Sequence, residues 1–176
     1  YYLADMNFKL GKFEKALELG EPLLAKTKRD EFSQLSKIVG ESYFNLEQYS
    51  EAIPHLKNYK GTRGKWNNTD YYLLGYAFYA QEDYENAISY FNKIIGGKNS
   101  VAQNAYYHLA ECYLQLNKKA EALNAFKNAS QMEFEIQLQE DAFLNYAKLS
   151  YDIGNPYNSV PEVLQSFIDK YPKSKH

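Results

Sequence analysis

The sequence predicts an all-α fold of about five helix-turn-helix repeats, on three observations. A small residue recurs along the chain, and in most copies an aromatic side chain follows nine residues later, with an alanine three residues after that. Within each copy the apolar residues fall at the spacing of an α-helix. Signals that start and stop helices bracket these apolar segments.

The repeat is visible when the chain is aligned with itself. The small residues are Ala4, Gly40, Gly75, Ala110 and Ala147, at intervals of 36, 35, 35 and 37 residues. The fifth copy is looser and has one extra residue in its turn. Periods of this size are typical of arrays in which each unit stacks on its neighbours. We therefore predict a single array over residues 1–176, with repeats near 1–32, 33–67, 68–102, 103–137 and 138–174.

Two amphipathic helices are predicted in each copy. In the third copy, Leu74, Ala77 and Phe78 share one face of the first helix, and Ala87 and Phe91 share one face of the second. Helices this short are marginal alone, so they must gain stability by stacking on neighbouring repeats. The ten predicted helices lie near residues 1–9, 13–26, 33–46, 49–59, 69–81, 84–95, 103–116, 119–130, 138–152 and 157–170.

Side-chain size predicts how the two helices of a copy pack. Gly40, Gly75 and Ala110 lack bulk, so each first helix can cross its second helix closely. The alanines expected to face them are Ala52, Ala87 and Ala122. Aromatic residues after the turn are expected to pack between the two helices, and they are Phe13, Tyr49, Tyr84 and Tyr157. Phe91 and Phe126 are expected to fill the contact with the next repeat.

Capping residues mark several helix ends. Asp83 is a favourable residue just before a helix. Asn155 followed by Pro156 predicts the start of the last helix, because proline is tolerated at the first helical position. Gly96 and Gly97 predict a helix end, because glycine readily adopts the left-handed conformation.

The longest interruption of the pattern covers residues 60–68 and carries the single tryptophan, Trp66. This side chain either anchors a partner from the loop or folds back over the junction between repeats. We expect the second arrangement, because a large ring gains most free energy when it is buried.

The spacing and the residue pattern resemble the tetratricopeptide repeat (TPR), whose copies have 34 residues. The small residue, the aromatic and the alanine match in at least three copies, and the resemblance covers essentially the whole chain. Glu47, Glu82 and Asn117 replace the usual turn glycine, and the closing proline is present only as Pro172. The resemblance implies a right-handed superhelical α-α solenoid whose first helices line a concave, peptide-binding groove.

Helical spacing indicates which side chains remain for that groove. Positions three before, and one, four and five after, the small residue project away from the second helix. The candidate groove residues are Lys37, Glu41, Phe44, Tyr72, Tyr76, Tyr79, Tyr107, His108, Glu111, Lys148 and Tyr151. Tyrosines occupy places where some TPR proteins carry the lysine and asparagine that clamp a terminal carboxylate, so binding of chaperone tails is disfavoured. About half of the tyrosines are expected to pack between first helices instead.

The sequence predicts no nucleic-acid, metal, cofactor or catalytic site. A net charge of −2 gives no basic field for nucleic acid. The histidines, His55, His108 and His176, lack metal-ligand spacing, and the single Cys112 is expected to be a buried core residue. No cofactor, metal or catalytic signature is found, and no apolar run approaches the roughly 20 residues that span a bilayer.

The predicted function is a non-catalytic scaffold that binds a protein or peptide in the tyrosine-rich groove. The alternative is a structural spacer within a longer array whose ends or other domains carry the activity. Residues 102–110 and 167–174 resemble long multi-repeat TPR proteins of the bacterial cell envelope, which implies a periplasmic or outer-membrane-associated parent, with a cytoplasmic one as the alternative. The sequence leaves the oligomeric state open.

Overall fold

The computed structural model describes residues 1–94, 96–156 and 158–176. These residues form ten α-helices and no β-strand, which confirms the all-α prediction. The helices are α1 (Tyr2–Lys9), α2 (Phe13–Leu24), α3 (Arg29–Asn45), α4 (Tyr49–Asn58), α5 (Asn68–Ala80), α6 (Tyr84–Phe91), α7 (Ser100–Gln115), α8 (Lys119–Ser130), α9 (Ile136–Ile153) and α10 (Val160–Lys170). A 3₁₀ turn over Asn92–Ile94 follows α6. Each helix begins and ends within four residues of its predicted position.

The chain divides into two compact units, residues 1–90 and 91–176. In the first unit α1 packs on α2, α2 on α3, α3 on α4 and α4 on α5, and α3 also contacts α5 directly. In the second unit α7, α8, α9 and α10 pack in the same sequential way, and α7 contacts α9. Within each unit, therefore, first helices of successive repeats lie side by side.

The turns inside the first four repeats share one backbone conformation. Gly11, Glu47, Glu82 and Asn117 have φ angles of 71°, 58°, 58° and 56°. The residue that follows each of them donates its N–H to the carbonyl oxygen five residues earlier, at 2.8–3.0 Å, as in Gln48 to Tyr43. This is the helix-ending motif that normally uses glycine. The turn therefore forms without glycine, but a residue with a side chain is strained at this positive φ.

A small residue allows a close helix crossing at Gly40, where the facing residue is Leu56 instead of the predicted Ala52. A Cβ atom placed on Gly40 would lie 2.9 Å from the Leu56 backbone nitrogen and 3.0 Å from its side chain. Ala52, Ala87 and Ala122 are completely buried. The contact at Gly40 is therefore between backbone and backbone, and any larger side chain would separate α3 from α4.

Aromatic residues after the turns pack against the first helix of their own repeat. The ring centroids of Phe13 and Phe8 are 5.9 Å apart, those of Tyr49 and Phe44 are 5.3 Å apart, and those of Tyr84 and Tyr79 are 6.3 Å apart. The prediction is confirmed for these three positions, and Tyr157 lies outside the described residues.

The two phenylalanines assigned to the contact with the next repeat are both 1% exposed. Phe91 stacks on His108 of α7 with a centroid distance of 6.3 Å. Phe126 borders a cavity together with Leu149 of α9. Phe91 thus reaches the first helix of the following repeat, as predicted, whereas Phe126 lines a cavity beside α9.

The predicted start of the last helix is wrong. The helix begins at Val160, where Ser159 and Glu162 form a capping box and proline occupies position 161. The Asn155 amide instead donates to the Tyr146 hydroxyl at 2.7 Å and to the Ser150 hydroxyl at 2.9 Å. Asn155 is therefore engaged with α9, and the reciprocal hydrogen bonds of the capping box set the later start.

Trp66 folds back onto the first unit. Its indole N–H donates to the Tyr59 carbonyl oxygen at 2.7 Å, and its ring lies 5.3 Å from that of Tyr71. The loop that carries it is held to α3, because the Lys60 N–H donates to the Ser33 hydroxyl at 2.9 Å. Of the two arrangements considered from the sequence, this is the one in which the ring covers the repeat junction.

A buried glutamine holds the corresponding segment of the second unit. Gln103 is completely buried, donates to the carbonyl oxygens of Ala129 and Met132, and accepts the Glu135 N–H at 2.8 Å. It occupies the same repeat position as Ser33, seven residues before the small residue. One position of the first helix therefore fixes the segment that follows the second helix in both units.

Gly40→Ala should destabilise the chain by about 1–3 kcal/mol, because the added methyl group overlaps the α4 backbone. At a solvent-exposed helix position the same substitution would instead increase the stability of the protein. Urea or thermal unfolding measures the change. Gly20→Ala is the comparison, since its nearest neighbour is a movable Val39 methyl group at 3.0 Å, and its loss should be smaller. A Gly40→Ala protein as stable as the wild type would contradict the close crossing.

Glu47→Gly and Glu82→Gly should each stabilise the chain by about 0.5–1 kcal/mol, because glycine adopts a positive φ without steric cost. Asn117→Gly should gain less, since asparagine tolerates this conformation better than glutamate. Equal gains at all three positions, or losses at Glu47 and Glu82 in the same unfolding experiment, would show that the turns are not strained.

Candidate functional site

The candidate site residues recur at fixed positions of the first helices. Counted from the small residue, the position one residue later holds Glu41, Tyr76, Glu111 and Lys148. The position four residues later holds Phe44, Tyr79 and Tyr151, and the position three residues earlier holds Lys37, Tyr72 and Tyr107. His108 lies one residue after that last position. Packing of α3 on α5, and of α7 on α9, decides which of them meet.

In the first unit, six predicted residues form one continuous surface, which we call the α3–α5 surface. Its members are Lys37, Glu41, Phe44, Tyr72, Tyr76 and Tyr79, and all six are partly buried. The Phe44 and Tyr76 rings connect the two helices at a centroid distance of 5.7 Å. The predicted groove residues of this unit therefore lie together.

Tyr76 is the centre of the aromatic part of this surface. Its ring lies 6.0 Å from Tyr72 and 5.6 Å from Tyr79 on its own helix, and 5.7 Å from Tyr49 on α4. Edge-on and tilted contacts of this kind are favourable between aromatic rings. The rings support one another and remain partly exposed, so the surface is ordered before any partner arrives.

An ionic group adjoins the aromatic part. The Lys37 ammonium lies 3.6 Å from a Glu41 carboxylate oxygen and 3.5 Å from an Asp70 carboxylate oxygen, and so bridges α3 and α5. It also lies 4.7 Å from the centre of the Tyr59 ring. The side chains of Glu41 and Asp70 are only 17% and 6% exposed. This group of charges is therefore largely withdrawn from water.

Burial changes the acidity of these groups. It raises the pKa of the Glu41 carboxyl, while the neighbouring Lys37 ammonium opposes that rise. Burial alone would lower the pKa of Lys37, but the Glu41 and Asp70 carboxylates overcome it and the pKa is raised. The Lys37 ammonium therefore keeps its proton, and it is shared by the Glu41 and Asp70 carboxylates.

Asp70 was not among the predicted site residues. It is the third residue of α5 and forms a capping box with Asn67: its own N–H donates to the Asn67 side chain, and its carboxylate accepts the Asn67 N–H, both at 2.9 Å. The sequence signal was an asparagine followed three residues later by an acidic residue, just before an apolar segment. That signal predicts the cap, but the contact with Lys37 depends on tertiary packing.

In the second unit the candidate residues are distributed over α7 and α9. The His108 ring nitrogen Nδ1 lies 2.9 Å from the Glu111 carboxylate, and the Tyr107 ring packs 5.7 Å from that of Phe126. Lys148 borders a cavity of about 230 Å³ that is floored by Leu114 and Phe126.

Tyr151 is 76% exposed and is the most exposed of the candidate aromatic residues. The second unit therefore offers a small cavity beside exposed side chains, whereas the first offers a packed aromatic surface.

Among the described residues, side chains of the metal-binding types are dispersed, and the single thiol is buried. Within the described ranges, no three histidine, cysteine or acidic side chains are grouped so that they could hold a metal ion. Cys112 is completely buried, as predicted, and burial raises the pKa of its thiol to about 12. A protonated, inaccessible thiol is a poor nucleophile. Among the same residues no helix combines the length and apolar character needed to cross a bilayer.

Comparisons with known proteins agree with this architecture. Residues 62–129 match the family described as anaphase-promoting complex, cyclosome, subunit 3. No curated protein sequence matches the chain significantly. The crystal structure of MamA superposes with a TM-score of 0.71 at 19% identity, covering 97% of this chain and 95% of that one.

The crystal structure of YrrB, described as a TPR protein with an unusual peptide-binding site, superposes with a TM-score of 0.72 at 21% identity. The match covers 97% of this chain and 84% of that one. Together with the repeated helix pairs and the close crossings at small residues, these similarities establish that the chain has the tetratricopeptide-repeat fold.

Proposed function

We propose that the chain is a non-catalytic protein-interaction scaffold that binds a peptide or a partner helix on the exposed faces of its first helices. The observation that carries this proposal is the packed aromatic surface around Tyr76. Rings that are already ordered lose little conformational entropy when a partner binds, and tyrosine supplies both apolar contact and a hydroxyl group.

The fold supports the same proposal. YrrB, which shares this fold, is described as having a peptide-binding site. Tyrosine is enriched among the residues that dominate binding energies at protein interfaces. The proposed partner is a protein or peptide.

A second candidate function is a structural spacer in a longer array, favoured by the exposed face of α1. Tyr2 and Leu3 are 75% and 56% exposed, whereas Ile38 and Val39, at the same repeat positions in α3, are 5% and 0% exposed. In α3 this face packs toward the preceding repeat, so the α1 face is suited to contact with a further helix. A spacer would bind no peptide on the α3–α5 surface.

We also propose a location in the bacterial cell envelope, periplasmic or associated with the outer membrane, with the cytoplasm as the alternative. The support is the sequence resemblance of residues 102–110 and 167–174 to envelope TPR proteins. Fractionation of the native cells should recover the protein with envelope markers. Recovery with cytoplasmic markers alone would refute the proposed location.

Tyr76→Ala should weaken binding by about 1–3 kcal/mol, because it removes a half-buried aromatic contact of the α3–α5 surface. The ligand for this measurement is a peptide selected on the wild-type chain from a displayed random library, and its affinity is measured by titration below the melting midpoint of every variant.

Phe134→Ala is the matched control, since Phe134 is a 51% exposed aromatic residue in the loop before α9. Its affinity should equal that of the wild type. Unchanged affinity of Tyr76→Ala, with circular dichroism showing an intact fold, would exclude the proposed binding surface.

A further inference from the structure

The ionic part of the α3–α5 surface has unequal charges. Glu41 and Asp70 supply two carboxylates, and Lys37 supplies one ammonium within 3.6 Å of both. The carboxylates leave one formal negative charge in excess, and their side chains are only 17% and 6% exposed. Charges that are poorly hydrated interact strongly with a further opposite charge. The surface is therefore electrostatically suited to one additional cation.

Aromatic rings continue from the Glu41 carboxylate. Phe44 follows Glu41 by three residues and so lies on the same helical face. The Tyr76 ring lies 5.7 Å from that of Phe44 and 6.0 Å from that of Tyr72. Ring faces attract ammonium and guanidinium groups, and their surroundings accept apolar side chains.

Lys37 itself already contacts both an aromatic ring and carboxylates on the α3–α5 surface. Lys37 lies 4.7 Å from the centre of the Tyr59 ring while its ammonium contacts Glu41 and Asp70. A partner cation beside the Glu41 carboxylate, whose side chain is 17% exposed, would use the same two kinds of contact. An arginine is particularly suitable, because its planar group pairs with a carboxylate and stacks on a ring.

An acidic partner fits this surface poorly. Lys37 is its basic member, and two carboxylates already neutralise that ammonium. A third carboxylate would meet two like charges in a place where water screens them weakly. Charge complementarity thus distinguishes the two kinds of partner.

We propose that the α3–α5 surface selects segments in which lysine or arginine stands next to an apolar or aromatic residue. The cation pairs with Glu41, and the neighbouring side chain lies on the rings of Phe44, Tyr72 and Tyr76. This inference rests on the proposed function, because it names the chemistry of the partner that the scaffold binds.

A displayed library of random twelve-residue peptides, selected on the immobilised chain, tests the inference. Lysine or arginine beside an apolar residue should be enriched. The consensus peptide, synthesised with a fluorophore, should bind Glu41→Gln about tenfold more weakly than the wild type, since one charged contact is lost. Its affinity should also fall as salt rises.

Glu31→Gln is the matched control, because Glu31 is an exposed glutamate near the start of the same helix, outside the α3–α5 surface. Its affinity for the consensus peptide should remain within about twofold of the wild type, which is the scale of a surface charge. Melting curves of both glutamine variants verify the fold.

The outcomes separate this inference from the proposed function. A consensus without lysine or arginine, or equal affinities of Glu41→Gln and Glu31→Gln, overturns the inference. In that case the proposed peptide binding still holds if Tyr76→Ala weakens it. No enriched peptide, or binding that Tyr76→Ala leaves unchanged, overturns both.

Discussion

At Gly40 the backbones of α3 and α4 approach so closely that one methyl group would lie 2.9 Å from the Leu56 nitrogen. This contact fixes one side of the first helix against the second. The position one residue later is then turned by about 100° from the crossing, because 3.6 residues complete a turn. The residue four positions later stays beside the second helix, as Phe44 does with its ring 5.3 Å from that of Tyr49. In this repeat the crossing therefore decides which side chains of α3 remain for a partner.

The candidate binding side chains also pack against one another. In the first unit, Phe44 and Tyr76 pack across neighbouring first helices, and Lys37 reaches Asp70 on the adjacent helix. The candidate binding residues therefore also stabilise the contact between repeats. A surface of this kind is rigid, since moving one ring displaces its neighbours, and rigidity favours selective binding over adaptable binding.

Polar side chains at the position seven residues before the small residue hold the segment that connects one repeat to the next. Ser33 accepts the Lys60 N–H, and Gln103 satisfies three backbone groups of the segment after α8. Such buried hydrogen bonds are costly to leave incomplete. They fix the direction in which each repeat continues, which the apolar pattern alone does not specify.

The sequence by itself determined the number, order and approximate bounds of the helices, because helical periodicity and small residues at constant spacing are local properties of the chain. It also determined the helical positions of Glu41 and Tyr76, which follow from counting residues. Tertiary structure alone decided that Asp70 would join Lys37 and Glu41, and that Gln103 would hold the segment after α8. These contacts join residues about 30 positions apart, and only the packing of the helices brings such residues together.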